Sequence, residues 1–450
     1  LASLLSTSIV VRHTRQDEEL GRAELLGAAV VGRYAALLAA VVAAGVADLA
    51  LSTGLAVAVL ANGLPVTGSV LVGASVGAVG LVFVGVAAVA VQLASSGRAA
   101  TGICAAVLGA TFVLSGVGNM LGTVDRAGTR VTSAWPVWLS PMGWAQQVRP
   151  YGGGHAWPLA LCLLLGALLL VVAARLVDRR DLGRGLAPER AGHGHAAASL
   201  LSSTGLAWRM QRGVLLGWGV ALALFGVIFG SMSDQIRHAT GATADWYIRA
   251  GGSHVILDAY RTSIIQLAGM FVSIYVVQVL LRLHSDESGG TLEPVLATGV
   301  SRWRWLAGSL VNAVAGAGVL MLVFAWCMGL TAGRVLGGTG HEVAVLSAAA
   351  LVQLPGVLVL GAAVVAAVGL LPRAAVPVSW VLLMASLVLG PMFALDLPQW
   401  VLDLSPFTHL PKAPANPVTA TTLVLLTMIC AALVAIGLVA LRRRDVALPA

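Results

Sequence analysis

Charge is scarce in this chain: Asp, Glu, Lys and Arg together supply 10% of its 450 residues, against about 25% in an ordinary soluble domain. So few charges cannot clothe a water-facing surface, and a soluble globule is excluded. Lysine is almost missing. Lys412 stands alone, between Pro411 and Ala413, whereas a phosphate-binding loop of the form G-x-x-x-x-G-K-[ST] needs a lysine that reaches the nucleotide phosphates. These residues therefore hold no ATPase site. The stretch Leu114 to Gly118, LSGVG, imitates the start of an ATPase signature but lies inside an apolar run, where small residues serve helix packing. Cys104, Cys162, Cys327 and Cys430 also sit in apolar runs without CxxC spacing, which argues against a disulfide framework or a metal site. His193 and His195 have no Cys or carboxylate companions and read as linker. HExxH and paired intramembrane acids are absent too, which removes two usual signatures of a membrane-embedded enzyme.

What remains is apolar: 58% of the residues are hydrophobic and the mean hydropathy is +0.91. A spanning helix needs roughly 20 consecutive apolar residues. Such runs lie near 35–61, 69–93, 100–122, 157–177, 213–231, 264–283, 305–331, 343–371, 375–394 and 418–441. The fold predicted is all-α, a polytopic membrane protein.

One segment is written twice. DEELGRAELLGAAVVGR at 17–33 recurs as DESGGTLEPVLATGVSR at 286–302, pairing Asp17 with Asp286, Glu18 with Glu287, Gly21 with Gly290, Glu24 with Glu293 and Arg33 with Arg302. Leu139-Ser140-Pro141 returns as Leu404-Ser405-Pro406, and Arg179-Arg180-Asp181 as Arg443-Arg444-Asp445, at nearly the same offset. One unit has been used twice: 1–177 forms the first transmembrane unit, 178–206 a polar, Gly-rich linker, and 207–450 the second. By this alignment residues 1–11 correspond to 270–280, inside a span, so the sequence predicts an N-terminally truncated first unit lacking about 60 residues (repeat logic). The expected parent has about 12 spans in two tandem six-helix units, of which ten are complete here and one is partial.

The basic residues divide unevenly when alternate connections are assigned to alternate faces. Nineteen fall on one face, including Arg15, Arg22, Arg33, Arg180, Arg302 and Arg304, and eight on the other, including Arg126, Arg130, Arg261 and Lys412. The richer face is cytoplasmic by the positive-inside rule, which puts both acidic segments and the C-terminus inside. The formal charge of +8 is thus spread over many short loops, unlike the clustered patch of a nucleic-acid binder. Residues 17–30 carry Leu20, Ala23, Leu26, Gly27 and Val30 at helical spacing and predict a surface helix. In the second copy Gly289, Gly290 and Pro294 push the helix start beyond the glycines. Charges beside a span often only fix topology, but a duplicated acidic surface element suits docking to two copies of a soluble partner.

These residues resemble a known family. E-x-x-G-R-x-E-L-L followed by V-x-R, the Leu-Ser-Pro tripeptide and the closing Arg-Arg-Asp are similar to the permeases of type-2 ATP-binding-cassette exporters, nearest to the duplicated actinobacterial multidrug and polyketide-antibiotic (tetronasin-type) permeases. The resemblance covers essentially the whole chain. It implies a transport subunit, not an enzyme, whose ATPase is a separate cytoplasmic polypeptide, in two copies, that carries the ATP and Mg. It also maps a coupling helix onto 15–33 and 284–304, so that Asp17, Glu18, Glu24, Arg33, Asp286, Glu287, Glu293 and Arg302 inherit contact with the motor. Neither copy has the proline of the family's usual Thr-Pro-Val run: Ala28-Ala29-Val30-Val31 and Ala297-Thr298-Gly299-Val300 stand there instead. The outer loops 123–155 and 395–417 correspond to re-entrant pieces, and Trp135, Trp138, Trp144 and Trp400 suit the interface there, as anchors or at a substrate exit.

A substrate path is marked by few polar groups. Asp48 lies within a span, which makes it by default a functional hypothesis, although it can also pair locally. Asn119 and Asn312 could line a path or bond helices together. Walls of Ala, Val, Leu and Gly suit a bulky apolar or amphipathic cargo, drug or lipid. The alternatives are an ATP-driven lipid exporter and an ion-driven transporter of the major facilitator type, which also has twelve spans in two units. That second family's G-x-x-x-D-R-x-G-R-R loop is absent from this sequence.

Overall fold

The computed structural model describes residues 1–22, 32–124, 131–180, 185–186, 195, 197–253, 255–390 and 398–443. Glu24 and the 28–31 run, Arg126, Arg130, Asp181, His193 and Arg444-Asp445 lie outside the described residues. The chain divides into two compact units, Leu1–Gly192 and His193–Ala450. The protein is an all-α polytopic membrane protein, and among the described residues nine helices are long and apolar enough to cross a bilayer.

In the first unit α1 (Ala2–Val11), α2 (Asp17–Glu19), α3 (Ala35–Ala61), α4 (Val66–Leu93), α5 (Gly97–Met120), α6 (Pro141–Gln147) and α7 (Trp157–Val177) follow in order. The most apolar stretch of α4 is 67% buried, whereas those of α3 and α7 are each 17% buried, so α4 is the axis and the others face lipid. Its small residues set that role: Gly73 packs on the Ser52 carbonyl of α3, and Gly85 on Leu169 and the Gly166 carbonyl of α7. Close backbone approach of this kind is what holds helices together where lipid removes the hydrophobic driving force. A two-residue antiparallel pair, β1 (Thr123–Val124) with β2 (Val131–Thr132), closes the loop after α5.

The second unit contains α8 (Ser203–Ser231), α9 (Ser233–Arg237), α10 (Ala242–Gly251), α11 (Ile256–Ser288), α12 (Leu292–Ala297), α13 (Arg302–Leu336), α14 (Thr339–Val352), α15 (Leu354–Leu370), α16 (Ala375–Val388), α17 (Gln399–Leu402) and α18 (Ala420–Arg443). Here α11 is the most buried span at 78%, and α18 the least at 11%. The core contains Tyr260, Ile264, Tyr275, Phe324 and Met328.

Two expectations are corrected. The run at 375–394 was expected to span, but its helix ends at Val388 and has 14 residues, a rise of only about 21 Å against a hydrocarbon core near 30 Å. A 3-10 turn at Pro372–Ala374 delays its start, and the chain turns at Leu389 and Gly390 just beyond its end. Ten complete spans therefore become nine long helices and a shorter apolar one among the described residues. The helix expected over 17–30 ends at Glu19, and Gly21 at φ 71° turns the chain just beyond it, whereas the run at 343–371 stands as one span, Thr339–Leu370, with a one-residue break at Gln353 between α14 and α15 where Pro355 lacks the N–H that the ladder needs.

Candidate functional site: the duplicated acidic segment

In the first copy α1 passes through a π-helical turn, Arg12–Gln16, into α2. That turn brings Arg15 to 1% exposure, where its guanidinium meets the Glu18 carboxylate at 2.5 Å and also donates to the Ala94 carbonyl. Glu18 receives Arg180 on its other oxygen, and Arg180 donates to the Val91 carbonyl at 2.9 Å. The last carbonyls of a helix have no partner within it and favour cations. Two arginines thus answer the C-terminal end of α4, and one carboxylate answers both arginines.

Glu19, which sequence reasoning passed over, accepts from the Gly97 amide at 2.9 Å, an acid at the positive N-terminal end of α5. Ser96 caps the same helix through the Ala99 amide at 3.2 Å. Glu18 and Glu19 are therefore stitched into the corner between α4 and α5, with Arg180 of the duplicated Arg-Arg-Asp motif as the further fastening. Asp17 points the other way, in an exposed pair with Arg22 at 3.3 Å. Arg33 is exposed and lies 3.7 Å from Asp178, which also accepts from the Tyr34 hydroxyl at 2.6 Å; that hydrogen bond to a carboxylate pushes the phenol up from its ordinary pKa.

The second copy shares the turn but not the fastening. Gly21 and Gly290 both adopt positive φ, 71° and 70°, a left-handed turn that glycine adopts without strain and that redirects the chain off the helix end. This is a physical reason for the glycine to recur. Beyond it α12 begins after the glycines, as the sequence requires, with Pro294 tolerated in its first turn. Leu292 anchors the piece at 4% exposure, while Glu293 is exposed. Asp286 lies 3.6 Å from Arg282, and its carbonyl accepts from the Thr291 hydroxyl at 3.0 Å. Glu287 is buried at 5%. Arg302 donates to the Leu441 carbonyl at 2.7 Å, so a cation again serves the last turn of a spanning helix, here α18. Ser301 caps α13 through the Arg304 amide at 3.4 Å.

The polar groups at membrane depth separate into two kinds. Asn119 donates to Gln146 at 2.7 Å and accepts from Ser133 at 2.7 Å, in a web that includes Ser115 and Gln147. Asn312 donates to the Thr204 carbonyl at 3.0 Å and bonds α13 to α8. Both asparagines are engaged in holding helices together. Asp48 differs: at 4% exposure it accepts from Ser6 at 2.7 Å, Gly80 of α4 lies against its carboxylate, and its Oδ1 has no partner.

The repeated Leu-Ser-Pro has a job visible only in three dimensions. Ser140 donates to the Thr111 carbonyl at 2.6 Å while accepting from the Gly143 amide. Ser405 donates to the Ser386 carbonyl at 2.7 Å while accepting from the Phe407 amide. Each serine, fully buried, pins its loop to an apolar helix, Ser140 within the body of α5 and Ser405 at the last turn of α16. An ion-paired cluster of Arg261 with Glu342 and Asp258 gave no repeat signal and was not singled out from the sequence.

Comparison with known proteins agrees with this architecture. Residues 200–442 match the family described as Multidrug efflux system permease Rv1217c, C-terminal domain. Over 442 residues the sequence is 41% identical to the Multidrug efflux system permease protein Rv1217c of Mycobacterium tuberculosis, covering 97% of this chain and 78% of that protein. With the second unit matched and the identity running through nearly all of both units, this chain belongs to the family of multidrug efflux system permeases that includes Rv1217c.

Proposed function

We propose that this chain is the membrane-spanning permease subunit of an ATP-driven exporter that moves a bulky apolar or amphipathic, antibiotic- or drug-like compound out of the cell. The observation that carries the reading is the identity of 41% to a multidrug efflux permease along 97% of the chain. The tetronasin-type exporters are the subgroup its motifs resemble most.

In this reading the motor is a separate cytoplasmic ATP-binding-cassette ATPase, two copies per permease, which binds the ATP and Mg and meets the duplicated segment. The way each copy is fastened suits it to pass on a push. Glu18 and Glu19 fix the first copy to α4 and α5, and Leu292, buried in the core of the second unit, with Arg302, bonded to α18, fix the second. Asp17 and Glu293 remain on the outside to meet a partner. Movement there would couple ATPase closure to the spans, a free-energy coupling between distant sites.

The test is co-purification of the permease in nanodiscs with its cognate ATPase, wild type against the double reversal Asp17→Lys with Glu293→Lys. About two ATPases per wild-type permease, released by the reversal with the permease still monodisperse, is the expected result. An ATPase that fails to bind wild type would sink the reading and make ion-driven transport the leading explanation.

A further inference from the structure

Where α8, α11, α12 and α13 converge in the second unit, they line a partly open cavity of about 170 Å³. Leu206, Met210, Val295 and Trp305 give it apolar walls, and Gln211, Ser309 and the Arg282–Asp286 pair give it polar ones. Three features define what it would take. Gln211 is 4% exposed, yet its side-chain carbonyl oxygen has no hydrogen-bond partner; a buried acceptor without a donor is costly, and a donor brought by a ligand removes the cost. The two charged groups lie 3.6 Å apart and offset each other, so the pocket does not select for a net ionic charge. The volume is close to the roughly 150 Å³ that accepts a benzene molecule and below the roughly 300 Å³ at which drug-sized pockets begin. Only one ring, or a short alkyl end, fits inside.

We propose that this cavity holds the ring- or alkyl-sized end of a neutral amphipathic cargo, which donates a hydroxyl or amide hydrogen to Gln211 Oε1 while the rest of the molecule lies outside. The inference deepens the export reading and rests on it for calling the ligand cargo; the binding itself stands on the cavity. Position gives the site a second consequence. Asp286, Thr291, Leu292 and Val295, all lining residues, belong to the second acidic segment and α12. A bound ring therefore packs directly against the element that would face the ATPase, and occupancy bears on its position without any relay.

The probe is a diazirinyl benzyl alcohol photolabel, used with the full chain in nanodiscs of one lipid composition, with its methyl ether as the donor-less control and benzyl alcohol as competitor. Expected are saturable, competed cross-links to peptides containing Met210 and Trp305, and about a 10-fold weaker apparent affinity for the ether than for the alcohol. Gln211→Leu should erase that 10-fold difference while retaining ether binding, which also shows that the variant is folded. Ala207→Phe, which fills the cavity, should abolish labelling by both. Non-saturable labelling of wild type, or an alcohol preference that survives Gln211→Leu, overturns the proposal. Because binding is read without ATPase or transport, its failure is distinguishable from a failure of the export reading.

Discussion

Glu18 carries more of the first unit's stability than its place in an acidic surface motif implies, because it compensates two guanidiniums, one of them at 1% exposure. Removing one partner of a buried ion pair costs about 3–5 kcal/mol, since the remaining charge stays desolvated. Glu18→Gln should therefore lower the thermal midpoint of the purified permease by several degrees. Asp17→Asn breaks only an exposed pair, worth about 0–1 kcal/mol, and should leave the midpoint nearly unchanged. Equal effects in a fluorescence-monitored melt would remove the distinction between a fastening acid and a docking acid. Lys412 offers a pH test at the same scale. Burial lowers its ammonium pKa, and Gly252 lies against its stem. A lowered folded value means the charged form is disfavoured on folding, so stability falls as pH drops from the ordinary lysine range through the folded value, and the penalty is complete below it. The same shift leaves more neutral amine near pH 9 than in a solvated lysine. Acylation by an amine-reactive ester, followed by peptide mass spectrometry, should modify Lys412 faster than a solvated lysine in a model peptide; a rate that rises only in the ordinary lysine range would contradict the shift.

At the scale of elements, the serines of the two Leu-Ser-Pro motifs explain how a loop is held against an apolar helix. Each donates to a carbonyl of an apolar helix and accepts from an amide two or three residues on, and each is fully buried. Loss of such a bond and cap costs about 1–2 kcal/mol. Ser140→Ala and Ser405→Ala should each lower the thermal midpoint by a similar modest amount, and the double variant should lower it additively because each serine acts within its own unit. An effect confined to one serine would mean the duplicated motif has diverged in role. The same elements show what a sequence reveals. Long runs of apolar residues announce α3, α4, α5 and α7, because length alone decides spanning. The repeat pairs Gly21 with Gly290, but apolar spacing over 17–30 concealed the turn, since the positive φ of Gly21 that follows the end of α2 at Glu19 is a backbone property that side-chain periodicity does not carry. Hydropathy could not reveal that α16 stops at Val388, since the stop depends on turn chemistry at Pro372 and Gly390. Nor could it reveal the interruption at Gln353, since one proline in an apolar run leaves the average untouched. The arginine network was half legible: Glu18 drew notice through its repeat, but Arg15 and Arg180 find it only once α4 ends beside both.

For the whole molecule, the proposed function turns on which way the units face. From the partition of basic residues, nineteen against eight, the expectation is Glu293 inside and Trp400 outside. Orientation decides more than a label, because an acidic segment on the outer face could not meet a cytoplasmic ATPase. The native cysteines suit a direct measurement: Cys104 and Cys162 are buried, Cys327 and Cys430 partly so, and all four lie in long apolar helices, so replacing them removes background without touching the loops. Single cysteines at the exposed positions Glu293 and Trp400, each in a cysteine-free chain, would then be challenged with a membrane-impermeant maleimide. Position 400 should label in intact cells, whereas position 293 should label only after permeabilisation. Labelling of 293 in intact cells would invert the topology, since the bilayer blocks the reagent whatever the local packing. The coupling assignment would fall with it, leaving Glu18 and Arg302 as fastenings of helix ends and Asp17 and Glu293 without an ATPase to meet.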